Sequence, residues 1–140
     1  MRSSRGVHPA MLLASLLLAA GCSRGLNVGQ VSGQLLVDGA PAPEVMVQFV
    51  PAQGVEGPAS SGLTDSEGRF QLEYRERGKG AHPGAMVGSH IVTLSDQRLA
   101  ASADGRGVKV RFGPDYTTVG TSPLRQEVAP GDQQVTIEVK

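Results

Sequence analysis

The stretch Val31–Pro51, VSGQLLVDGAPAPEVMVQFVP, decides the fold. Val31, Gly33, Leu35 and Val37 occupy alternate positions with Ser32 and Gln34 between them, and Val45, Val47 and Phe49 repeat the spacing. A period of two marks an extended strand with one face turned to a core. Between the two runs, Asp38-Gly39 is the dipeptide that a tight reversal with positive φ favours. The stretch therefore predicts strand, turn and strand.

The same alternation continues outward from it. Phe70, Leu72 and Tyr74 share a face with Gln71 and Glu73 opposite, and Val92 and Leu94 flank Thr93. Val108, Val110 and Phe112 alternate with Lys109 and Arg111, Leu124, Gln126 and Val128 with Arg125 and Glu127, and Val135, Ile137 and Val139 with Thr136 and Glu138. Turn chemistry separates most of these runs: TDSEGR at Thr64–Arg69, and APGD at Ala129–Asp132, where Pro130 and Gly131 suit the centre of a type II turn opening a last hairpin. With 19 glycines, 9 prolines and no helical stripe beyond the amino end, the chain reads as all-β. Its 140 residues suffice for one compact domain. The prediction is one seven-stranded sandwich over residues 31–140.

The amino end has a different logic. Arg2 and Arg5 precede AMLLASLLLAA, Ala10–Ala20, apolar except for Ser15. Eleven residues are too few for a membrane-spanning helix, which takes about 20, but they match the h-region of a signal peptide. The following LAAGC, Leu18–Cys22, resembles the lipobox of bacterial lipoproteins. That resemblance implies cleavage of residues 1–21 and lipidation of Cys22, the only cysteine. An ordinary cleaved signal peptide with Ala20 and Gly21 as its small-residue site is the competing reading. Three acyl chains, usual on such a cysteine, would make release negligible, because each buried methylene contributes ~0.8 kcal/mol. Ser23, in place of a retaining aspartate, points to the outer rather than the inner membrane. Residues 22–30 then form lipidated cysteine and tether, the eight from Ser23 to Gln30 reaching at most about 29 Å. The mature chain would carry 11 bases against 13 acids, which gives no attraction to nucleic acid.

Beyond the amino end, VSGQLLVDGAPAPEVMVQFVP and SGLTDSEGRFQLEY together resemble the carboxypeptidase regulatory-like domain, an immunoglobulin-like, transthyretin-like sandwich. GAMVGSHIVTLS resembles a later strand of that domain, with His90 where an aromatic is common, and SPLRQEVAPGDQQVTIEV resembles the closing strands of small planctomycete-type lipoproteins. The resemblance covers residues 29–140 and implies a fold and a setting, with Gly39 and Gly68 as turn residues, Pro130 fixing φ, and no catalytic residue.

Candidate chemistry is sparse. Asp65, Glu67 and Asp38 suggest calcium, but TDSEG stops after two acids, short of a calcium loop, and a solvated turn is the expected reading. His82 sits in the glycine-rich GKGAHPGAMVG with no acid beside it, and His90 opens a strand on its apolar side, where a hydrogen-bonded, partly buried ring is expected. Ser60, Ser61 and Ser89 lack a nucleophile elbow. A transthyretin-like hydrolase of the 5-hydroxyisourate type is the enzyme alternative, in which His82 or His90 would meet an Arg or Asp; the TIEVK ending departs from that family's closing tail. Arg98, Arg106, Lys109 and Arg111 form a basic run, with Lys109 and Arg111 expected on the outer face of one strand, guarding an edge. A carbohydrate module with stacking aromatics fits poorly, since the chain has no Trp and two Tyr. The sequence thus points to a non-catalytic envelope module without cofactor or metal. It would be held to a membrane by its lipid, face the periplasm, and present a protein- or polysaccharide-binding surface from loops 51–61, 75–88 and 97–107.

Overall fold

The computed structural model describes residues 25–104 and 106–140, so Cys22 and the signal-like segment lie outside the described residues. Two sheets stack as a sandwich. The first is built on β1 (Val28–Val37), which pairs in parallel with β11 (Gly131–Val139) over its whole useful length, from Gly29 opposite Gly131 to Val37 opposite Val139. The other side of β1 is shared by three short antiparallel segments: β2 (Ala40–Pro41), β5 (Arg69–Gln71) and β8 (Ala85–Met86). The second sheet is antiparallel, in the order β10-β9-β3-β4-β6-β7. These are β10 (Arg125–Val128), β9 (Gly88–Asp96), β3 (Val45–Pro51), β4 (Ser60–Leu63), β6 (Glu73–Glu76) and β7 (Gly80–Pro83).

The alternating apolar residues fill the space between the sheets. Val31, Leu35, Val45, Val47, Phe49, Phe70, Leu72, Val92, Leu94, Val128, Ile137 and Val139 are all buried. Phe49 and Phe70 join the layers with ring centroids 6.5 Å apart, in the tilted geometry aromatic quadrupoles prefer. The Asp38-Gly39 reversal has φ of 50° and 80°, the two positive values of a type I′ hairpin. At Gly62 the constraint is proximity, since a Cβ there would lie 2.4 Å from the Gln71 carbonyl oxygen where the chain crosses between sheets.

Four features differ from the sequence-based expectation. The described residues divide into eleven strand segments, because β2, β4, β7 and β8 are too short or too glycine-rich to carry an apolar alternation. β1 starts at Val28, so residues 28–30, expected in the tether, belong to the sandwich. Pro130-Gly131 does not close a hairpin: β10 lies in one sheet and β11 in the other, so the turn is an arch between layers. Residues 108–112 form no strand, and Gln97–Ala101 forms a single helical turn, α1, after β9.

The cause of the missing strand is electrostatic. Asp96, at the end of β9, has a side chain only 2 % exposed, and a buried carboxylate is costly unless paired. Arg111 supplies the pairing with both guanidinium edges, donating from Nε and Nη2 to Asp96 at 2.8 and 2.7 Å and from Nη1 to the Pro43 carbonyl at 2.7 Å. Arg98 adds two further bonds, at 3.2 and 3.0 Å. Drawing Arg111 inward breaks the alternation and leaves Val110 61 % exposed. Phe112 still reaches the core and meets Tyr116 edge-on at 6.4 Å.

Candidate functional site

Alternation that buries one face of β1, β5 and β11 turns the other face outward, and the register aligns the outward residues in rows. Gln134, Ser32 and Gln71 form the central row, because Ser32 pairs with Gln134 on one side and Gln71 on the other. Thr136, Gln34 and Arg69 form the next row, and Asp132 and Gln30 the one before. Neighbours stand ~4.8 Å apart across strands and ~6.8 Å apart along them. Two contiguous open grooves of about 590 and 370 Å³ run over this face and share Ser32 and Gln134.

The lattice is rich in hydrogen-bonding groups and poor in charge. Gln34 donates one amide N–H to the Glu67 carbonyl at 2.9 Å and Gln30 donates to the Pro83 carbonyl at 3.4 Å, which orients both side chains. Ser32, Gln71, Gln134 and Thr136 make no side-chain hydrogen bond among the described residues. An amide presents two donors and an acceptor with two lone pairs, and a hydroxyl does both jobs. Asp132 and Arg69 occupy opposite corners, and Arg69 is already paired with Glu67 at 3.0 Å. Such a surface can hydrogen-bond a neutral, polar, extended ligand. It contains no nucleophile–base pair.

The residues singled out by sequence lie elsewhere and apart from one another. The Asp65 carboxylate accepts from the backbone N–H groups of Arg69 and Glu67, each at 2.9 Å, and those bonds hold it below the usual carboxylate range. It caps its own turn, and Asp38 belongs to a different one. No group of three or more potential metal-binding side chains occurs among the described residues. His82 on β7 stacks on Tyr74 at 5.4 Å, and His90 on β9 is fully buried against Phe49 at 5.8 Å, with β3, β4 and β6 between them. Burial depresses the His90 ring, whose Nδ1 lies 3.0 Å from the Gly88 carbonyl. Ser60 is buried in β4, Ser61 is half-buried beside it, and Ser89 donates to Glu127 across the β9–β10 pair.

The basic run is likewise reorganised. Arg98 and Arg111 converge on Asp96, whose carboxyl burial alone would push up; their hydrogen bonds more than reverse this and hold it well below its ordinary value. Arg106 pairs with Asp104 at 3.5 Å, and of these four bases Lys109 is the one without an ion pair among the described residues. Lys109 and Arg111 therefore do not share an outer strand face. The amide lattice was missed by sequence reading, although its signal was present: glutamine, serine and threonine recur at the outward positions of β1 and β11. Searches against known protein families, curated proteins and solved structures returned no match.

Proposed function

We propose that this chain is a cell-envelope lipoprotein, anchored through Cys22 and carrying a non-catalytic module that binds a neutral, polyhydroxylated polymer on the outer face of its β1–β5–β11 sheet. The observation that carries the binding reading is the central row Gln134–Ser32–Gln71, an uncharged set of unengaged donors and acceptors at regular spacing on a rigid sheet. Hydrogen bonds exchanged with water yield only about 0.5–1.5 kcal/mol each, so a single module binds weakly and selects by pattern. Weak binding suits a tethered protein, because the anchor already confines it near its ligand.

The anchoring reading rests on the apolar run, the LAAGC segment and the early start of β1. Five residues separate Cys22 from Val28, so the sandwich would stand within about 18 Å of the acyl chains. We read the sandwich as the transthyretin-like, immunoglobulin-like type implied by the carboxypeptidase regulatory-like resemblance, and Ser23 as directing the protein to the outer membrane, facing the periplasm. The test of binding is co-sedimentation of the protein with purified, insoluble envelope polysaccharide. Gln71→Ala with Gln134→Ala should reduce the bound fraction severalfold, while Gln48→Ala on the other sheet should not. Equal retention of all three proteins would refute the site.

A further inference from the structure

The margins of the two sheets are treated unequally. β10 and β7, the outer strands of the antiparallel sheet, have four residues each. The β1 side opposite β11 is divided among three segments of two or three residues. Among the described residues β11 alone offers a long margin: nine residues in regular extension, with no proline, no bulge and no lysine within the strand, its charges being Asp132 and Glu138. Those are the devices by which edges are normally blunted, and a bare edge is a template for another strand.

The direction of the free groups follows from the bonded ones. The Val139 carbonyl accepts from Asp38 N–H at 2.9 Å, and the Val135 carbonyl faces Gly33, so odd-numbered residues of β11 point their peptide groups at β1. The peptide groups of Asp132, Gln134, Thr136 and Glu138 therefore point away from it, and no described backbone group bonds to them. Only pairings that place even-numbered residues opposite one another can use these groups.

We propose that two copies of this chain pair antiparallel along the free edge of β11, about a twofold axis through Thr136. In that register Thr136 faces Thr136, Gln134 faces Glu138 of the second copy, and Asp132 faces Lys140 of the second copy. The twofold axis repeats the last two pairs. Opposite charges and hydroxyl pairs are among the favourable cross-strand combinations, and an amide can donate to a facing carboxylate. Moving the axis to Val135 sets Asp132 against Glu138 twice, and moving it to Ile137 sets Thr136 against Glu138 and Gln134 against Lys140, with no pair of opposite charges. Charge complementarity thus selects one register. The result is a continuous sheet that doubles the polar face, with the two amino ends leaving from opposite ends. The pairing does not depend on lipidation or on polymer binding.

Sedimentation equilibrium of the full chain in detergent tests this pairing. The wild-type chain should show a concentration-dependent dimer, and Thr136→Pro should be monomeric with an unchanged strand spectrum, since the lost N–H faces away from β1. Lys140→Glu, at the exposed strand end, should weaken the dimer roughly tenfold by making two pairs repulsive, and Asp132→Lys with Lys140→Glu should restore it to within about twofold. A chain monomeric at all concentrations overturns the pairing. So does a dimer that neither Thr136→Pro nor Lys140→Glu weakens.

Discussion

The margin at β9 and the margin at β11 solve the same problem in opposite ways. Along β9, residues 88–91 pair with β10, and beyond them the chain between α1 and β10 closes the side. There Val92 donates to the Leu124 carbonyl, Ser122 donates to the Val92 carbonyl, and Phe112 enters the core. The Asp96–Arg111 clamp fastens this cover to the end of the strand. Along β11 nothing covers the outward peptide groups among the described residues. A covered margin derives its stability from buried charge and aromatic packing, whereas a bare one leaves its hydrogen bonds for something outside the fold.

Removing the clamp should have the largest effect on this contrast. Asp96→Ala leaves Arg111 without its partner, removes the cap on α1, and should cost about 3–5 kcal/mol of unfolding free energy in urea titration. Loss of less than ~1 kcal/mol would mean that the cover holds without it. Phe112→Ala comes next, at roughly 3 kcal/mol, from a cavity against Tyr116 and the core. Acid should loosen the covered margin in two stages. His90 has a lowered value in the fold, so the unfolded chain takes up its proton first, and stability falls as pH drops below the ordinary histidine value near 6.5. Asp96 is also lowered, so its contribution is complete above pH ~4 and is lost as pH falls further toward its depressed folded value. His90→Phe should flatten the first stage only, measured as the urea midpoint against pH. The smallest effect belongs to the bare margin, where Gln134→Lys should change stability by no more than about 0.5 kcal/mol.

Much of the sandwich was legible because β1, β3, β9 and β11 are long enough to show period two, and because Asp38-Gly39 and Gly68 do what their chemistry suggests. Gly68 has φ of 72°, and Asp65 closes the turn before it. β4 was invisible because Gly62 must lack a side chain against Gln71, which erases one apolar position from SSGL. Residues 108–112 misled because alternation records which residues are apolar and says nothing of a distant buried carboxylate. Arg111 obeys Asp96, 15 positions away, rather than its neighbours. The outward polar residues were visible one strand at a time, but their assembly into a lattice was not, for a related reason. Its rows join β1 to β5 and β11, strands far apart in the chain, and only the parallel β1–β11 register sets Ser32 beside Gln134.

The proposed anchor and the envelope role rest on lipidation of Cys22. Arg24 lies two residues beyond Cys22, so trypsin acting on the membrane fraction should release the tripeptide Cys22-Ser23-Arg24 as its own amino terminus. Mass spectrometry should find that tripeptide with three acyl chains and no free thiol. A bare Cys22, or a mature chain that starts at any other residue, would contradict the anchor and the envelope role built on it.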